Sequence, residues 1–71
     1  MNITQRQLRM FVTTAAHGNI SRASESLHIT QPALTRALKE FEAQINTVLF
    51  ERTTRRLTLT PEGDKFLTTA Q

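Results

Sequence analysis

Gln31, Pro32, Thr35, Arg36 and Lys39 recur at spacings that set them along one side of an α-helix, and their functional groups suit a surface that grips a polyanion and reads its edges. The Gln31 amide can pair bidentately with adenine, and the Arg36 guanidinium can pair in the same way with N7 and O6 of guanine. Each such contact discriminates between bases by roughly 1 to 3 kcal/mol. Thr35 offers a methyl to thymine or a hydroxyl to a base or phosphate. Pro32, lacking an N–H, is suited to van der Waals contact with a thymine methyl or a sugar. Thr30 precedes the helix and can cap it with its hydroxyl. Gln31 then falls in the first turn, where unpaired N–H groups and the positive end of the helix dipole favour phosphate. A solvated helix surface accounts for Arg36 taken alone but less well for the whole set, which points to the major groove of duplex DNA.

Positioning those side chains requires a scaffold. Over Thr30 to Ile45, the residues Leu34, Ala37, Leu38, Phe41 and Ile45 form an apolar stripe opposite the polar one, so one side of this helix packs while the other faces out. Upstream, Thr4 and Gln7 form a T-x-x-Q capping box, Ile3 and Leu8 can staple across it, and Leu8, Phe11, Val12, Ala15 and Ala16 predict an amphipathic helix that Gly18 stops. Asn19 caps a second, short helix with Ile20, Ala23 and Leu27 facing inward. His28 and Ile29 then bridge it to Thr30, a connection as tight as a helix-turn-helix demands, though without the glycine often found there. Asn46 is the expected left-handed stop of the third helix. Leu49–Arg52 and Arg56–Leu59, separated by Thr53, Thr54 and Arg55, predict a β-hairpin, and a hairpin in that place is a wing. Thr60, Pro61 and Glu62 start a last helix with an apolar side of Phe66, Leu67 and Ala70. The expected fold is mainly α: a winged helix-turn-helix with a three-helix core, a short hairpin wing and the start of a further helix.

Charge and composition narrow the function. The 71 residues, 38% of them hydrophobic, make one small domain near the lower limit for an unaided core. Nine Lys and Arg face six Asp and Glu, for a net charge of +3. The excess is uneven, because residues 1–39 hold Arg6, Arg9, Arg22, Arg36 and Lys39 against Glu25 alone. No cysteine is present, which excludes a disulfide framework and thiolate metal sites, and no apolar run or leader pattern points to a membrane, so a cytoplasmic, nucleoid-associated place is expected. No cofactor or metal is expected. Four Phe without Trp or Tyr leave few rings for stacking unpaired bases, and Phe11, Phe41 and Phe50 have core explanations, so duplex DNA fits better than single strands or RNA. An enzyme needs a nucleophile with its base, or paired carboxylates in a cleft. His17 and His28 on separate connections and scattered acids supply neither, and a non-enzyme is expected. A winged helix used only for protein contact, as an adaptor, is the alternative; it predicts a less basic helix face and an exposed hydrophobic patch. Arg6 and Arg9 are expected on a solvated surface.

At this point a resemblance becomes specific. Leu8-x-x-Phe11, Ser21-Arg22-Ala23-Ser24-x-x-Leu27, Thr30-Gln31-Pro32-Ala33-Leu34-Thr35-Arg36, Leu49-Phe50-Glu51-Arg52 and Leu57-Thr58-Leu59-Thr60-Pro61-x-Gly63 together resemble the N-terminal domain of the LysR-type transcriptional regulators. The resemblance spans essentially the whole chain. It implies sequence-specific binding of operator or promoter DNA, in an inverted repeat, by a homodimer or tetramer of a longer protein. It further implies a DNA-binding domain over residues 1–60 and, over 61–71, the start of a dimerising linker helix carrying Phe66, Leu67 and Ala70, with an effector domain absent here. Phe66 could equally pack on the domain. Arg55, at the hairpin tip, matches the family position that enters the minor groove, joining Gln31, Pro32, Thr35 and Arg36 as base-contact candidates. Arg52 and Arg56 are candidates for phosphates or for Glu51 and solvent; Ser21, Arg22, Thr30, Lys39 and Thr54 are further backbone candidates. Three departures stand out: Ser24 for the usual Ala, Phe41 for Leu and Asn46 for Gly. All are tolerable on size or left-handed propensity, and none lies on the expected DNA side.

Overall fold

Capping chemistry decides where the chain turns. The computed structural model describes residues 3–52 and 57–70. Helix α1 (Gln5–His17) opens on a reciprocal capping box, in which Thr4 Oγ1 accepts from the Gln7 amide at 3.1 Å and Gln7 Oε1 accepts from the Thr4 amide at 3.0 Å. It closes on Gly18 at φ 61°, whose N–H donates to the Thr14 carbonyl. Helix α2 (Ile20–Leu27) is capped by Asn19, and α3 (Gln31–Ile45) by Thr30 with Pro32 in its first turn. Between α2 and α3 the left-handed position falls to His28 at φ 58°. The Ile29 N–H then reaches back to the Ser24 carbonyl at 3.0 Å, so the tight turn is built without glycine at a strain of roughly 1 to 2 kcal/mol. Asn46, at φ 53°, ends α3 in the same way.

Strand β1 (Phe50–Arg52) pairs antiparallel with β2 (Leu57–Leu59), Phe50 opposite Leu59 and Arg52 opposite Leu57. Leu49, expected in the first strand, lies just before it, with its N–H donating to the Glu42 carboxylate and its carbonyl accepting from the Thr60 amide. Thr53, Thr54, Arg55 and Arg56 lie outside the described residues. Helix α4 (Pro61–Ala70) follows. Four helices and one hairpin among the described residues make the winged helix-turn-helix the sequence predicts.

The core is centred on Phe11, which is fully buried and meets the rings of Phe41, Phe50 and Phe66 at centroid distances of 6.3, 5.4 and 5.3 Å. Phe66 also meets Phe41 edge-on at 5.9 Å. Each of these ring pairs adds about 0.5 to 1.5 kcal/mol beyond the area it buries. Phe66, half-buried, therefore packs on the domain, one of the two placements the sequence leaves open to it. One expectation needs correction: the buried side of α1 is turned toward Met10 and Thr14, leaving Ala16 exposed. Thr14 is buried without cost in polarity, because its hydroxyl donates to the Met10 carbonyl at 2.7 Å.

Candidate nucleic-acid interface

With Leu34, Leu38 and Phe41 buried, the opposite side of α3 is left in solvent. Gln31, Pro32, Thr35, Arg36 and Lys39 line one open trough of about 920 Å³ there, together with Ile20 of α2, Glu40 and Ala43. Thr35 is half-buried in the floor, whereas Gln31, Pro32, Arg36 and Lys39 are exposed. The polar atoms that could read base edges thus converge on one surface.

Two side-chain contacts order that surface. Gln31 Nε2 donates to Ser21 Oγ at 2.8 Å, joining the start of α3 to α2 and leaving Oε1 and the second amide hydrogen for an outside partner. Arg36 Nε donates to Glu40 Oε1 at 3.1 Å one turn along the helix, an ion pair with both side chains largely exposed. Thr30 Oγ1 is occupied as the cap of α3, accepting from the Ala33 amide at 3.3 Å, although its hydrogen can still be donated outward. Arg22 is exposed on α2. Arg52 ends β1 in register with Leu57, and Arg55, Thr54 and Arg56 fall in the stretch outside the described residues.

The hairpin is held against α3 by Glu42, which sequence reasoning passed over, and by Thr60, whose start of α4 it expected but whose reach to residues 48 and 49 it did not. Glu42 Oε2 accepts from the amides of Leu49 at 2.6 Å and Phe50 at 3.0 Å. From the other side, the buried Thr60 hydroxyl donates to the Val48 carbonyl at 2.6 Å and accepts from the Gly63 amide at 2.9 Å, while its own amide donates to the Leu49 carbonyl. Gly63 lets α4 lie against this segment, since a Cβ there would stand 2.1 Å from the Leu49 carbonyl oxygen. An acid on a helix and a threonine before a proline carry no marker of these long-range duties. Their only sequence trace is the left-handed Asn46, which turns the chain back past Glu42.

This arrangement can be set beside known proteins. Residues 5–64 match the family model described as the bacterial regulatory helix-turn-helix protein, lysR family. The chain belongs to the LysR family. Among LysR-family relatives, the HTH-type transcriptional regulator CfxR of Cupriavidus necator is 48% identical over 65 residues, which cover 92% of this chain and 20% of that protein. ClcR of Pseudomonas putida is 47% identical over 66 residues, 93% of this chain and 22% of that protein. This LysR-family chain thus spans about a fifth of the length of the curated relatives it matches. Among solved structures, the DNA-binding domain of CbnR in complex with DNA superposes with a TM-score of 0.89 at 40% identity, over 96% of this chain and 78% of that one. The BenM domain bound to its benA site 1 DNA superposes with a TM-score of 0.90 at 34% identity, over 96% and 76%. Among the described residues, no helix is long and apolar enough to cross a membrane.

Proposed function

We propose that this chain is the DNA-binding domain of a LysR-type transcriptional regulator that recognises an operator or promoter duplex through α3. In this reading α3 enters the major groove with Gln31, Pro32, Thr35 and Arg36 toward base edges, while Ser21, Arg22, Thr30 and Lys39 face phosphates. The hairpin, residues 50–59, lies along the flanking minor groove, with Arg55 entering it and Arg52, Thr54 and Arg56 on the sugar-phosphate backbone. Two copies in a longer protein, paired through α4, which carries Phe66, Leu67 and Ala70, and its continuation, address the half-sites of an inverted repeat.

One observation carries this reading: Gln31, Pro32, Thr35, Arg36 and Lys39 share a single open trough on the solvent side of α3. The CbnR and BenM domains, alike in fold and sequence, are bound to DNA in their solved structures, which supports the same partner here. The adaptor alternative is disfavoured, because Val48 is the large exposed hydrophobic residue among those described and it lies outside the trough. Selection of duplexes from a random-sequence pool by a dimerised form of the chain tests the proposal. A recovered palindrome supports both readout and symmetry; a pool that stays random after several rounds overturns it.

A further inference from the structure

Arg36 faces two competing anionic or acceptor-rich partners on any duplex. A phosphate would take its charge and return no sequence information, whereas a guanine edge takes two N–H groups in a fixed geometry and discriminates. Arginine has five donors arranged in a fork, so the partner that occupies Nε decides which edge is left to present. In this chain that partner is Glu40, at 3.1 Å, a contact that uses Nε and leaves the two terminal Nη groups for another acceptor.

We propose that Glu40 is a specificity-determining residue that acts through Arg36. Its carboxylate keeps the guanidinium facing a base and away from phosphate. The inference rests on the reading of α3 as a base-reading helix. Two properties of Glu40 combine. By accepting from Nε it fixes one edge of the guanidinium and leaves the Nη edge, the one an end-on guanine pair uses, to be presented. By its charge it repels nearby phosphates, so an Arg36 that swings to the backbone loses its ion pair and brings its neighbour toward a like charge. Glu40 is also the single acid among the described residues lining the trough, where it stands with the Arg36 and Lys39 cations. The ion pair contributes little to folding, because both side chains are exposed, 83% for Arg36 and 68% for Glu40. Its effect is on where the guanidinium points when DNA is present.

The test uses the 71-residue chain, its Glu40→Gln and Glu40→Ala variants, and each change repeated in an Arg36→Ala background. Binding is titrated over a range of salt against the duplex recovered by selection, its single-base substitutions at each guanine, and a scrambled duplex. Both variants are expected to hold the scrambled duplex more tightly, Glu40→Ala with a salt slope steeper by about 0.9, the increment of one added phosphate contact, and Glu40→Gln by less, because its amide oxygen still accepts from Nε. Preference for guanine at one position is expected to fall by about fivefold or more, the lower end of what a bidentate pair discriminates. In the Arg36→Ala background the same substitutions should leave base preference unmoved, since the coupled partner is gone. Unchanged guanine preference in Glu40→Ala overturns the proposal, as does an equal loss with and without Arg36. A wild-type chain that prefers no duplex sinks the base-reading function and this inference with it, whereas a selective wild type with indifferent Glu40 variants sinks this inference alone.

Discussion

The Glu42 carboxylate accepts the backbone amide of Leu49 at 2.6 Å, so an acid on the last turn of α3 holds the residue from which the hairpin departs. Leu49 is fully buried, and removing the carboxylate takes away the acceptor its N–H uses. Glu42→Ala is expected to cost about 1 to 3 kcal/mol, the penalty for orphaning a buried donor, and Glu42→Gln less because an acceptor remains. Urea denaturation followed by circular dichroism measures both; equal midpoints for Glu42→Ala and the parent chain would refute the anchoring role.

Gly63→Ala should destabilise through overlap alone. The added methyl meets the Leu49 carbonyl oxygen at 2.1 Å, a backbone atom that cannot rotate aside. A loss of about 1 to 3 kcal/mol is expected from such overpacking, read as a lowered thermal midpoint. A midpoint at or above the parent value would mean that α4 can slide off the strand base freely.

Asn46 offers a test with opposite signs. At φ 53° the position suits glycine, so Asn46→Gly should be neutral or slightly stabilising, whereas Asn46→Ala should cost about 1 kcal/mol. Thermal unfolding of the pair settles the matter: alanine matching glycine would show that the left-handed conformation is not required.

On the proposed interface, Arg36→Ala and Lys39→Ala should fail differently. Loss of a base reader relaxes sequence preference, while loss of a phosphate contact weakens all duplexes alike and flattens the salt slope by about 0.9. Arg6→Ala, on an exposed part of α1 away from the trough, should change neither. Equal loss on selected and scrambled duplexes for Arg36→Ala would count against its role in readout.

A dimerising coiled coil fused after α4 should raise affinity for a palindromic duplex by about 10² to 10⁴, because the second half-site is then engaged at high effective concentration. Gel-shift titration at fixed salt compares the fused and unfused chains; a fusion that binds no better argues against paired half-sites.

Much of the fold was legible because the helix boundaries here are written in local chemistry. Thr4 with Gln7, Gly18, Asn19, Thr30 and Asn46 each act within about one helical turn, and each stands at an observed boundary. The convergence of Gln31, Thr35 and Arg36 on one trough likewise follows from helical spacing once the apolar stripe has chosen its side. What stayed hidden depends on residues distant in sequence. The rotation of α1 that buries Thr14 and exposes Ala16 is set by packing around Phe11, which no periodicity within α1 records. The duties of Glu42 and Thr60 appear only when residues 47–50 are brought between them. His28 shows the limit from another side: histidine tolerates positive φ better than most residues, but nothing local marks it as the left-handed position between the two helices it joins.

Phe66 has a mechanical consequence. Wedged edge-on against both Phe11 and Phe41, it works like a key in a slot: α4 cannot roll about its own axis or change heading without prising apart the rings at the centre of the molecule. A twist applied along α4 is therefore expected to load those rings first and to reach α3 through Phe41.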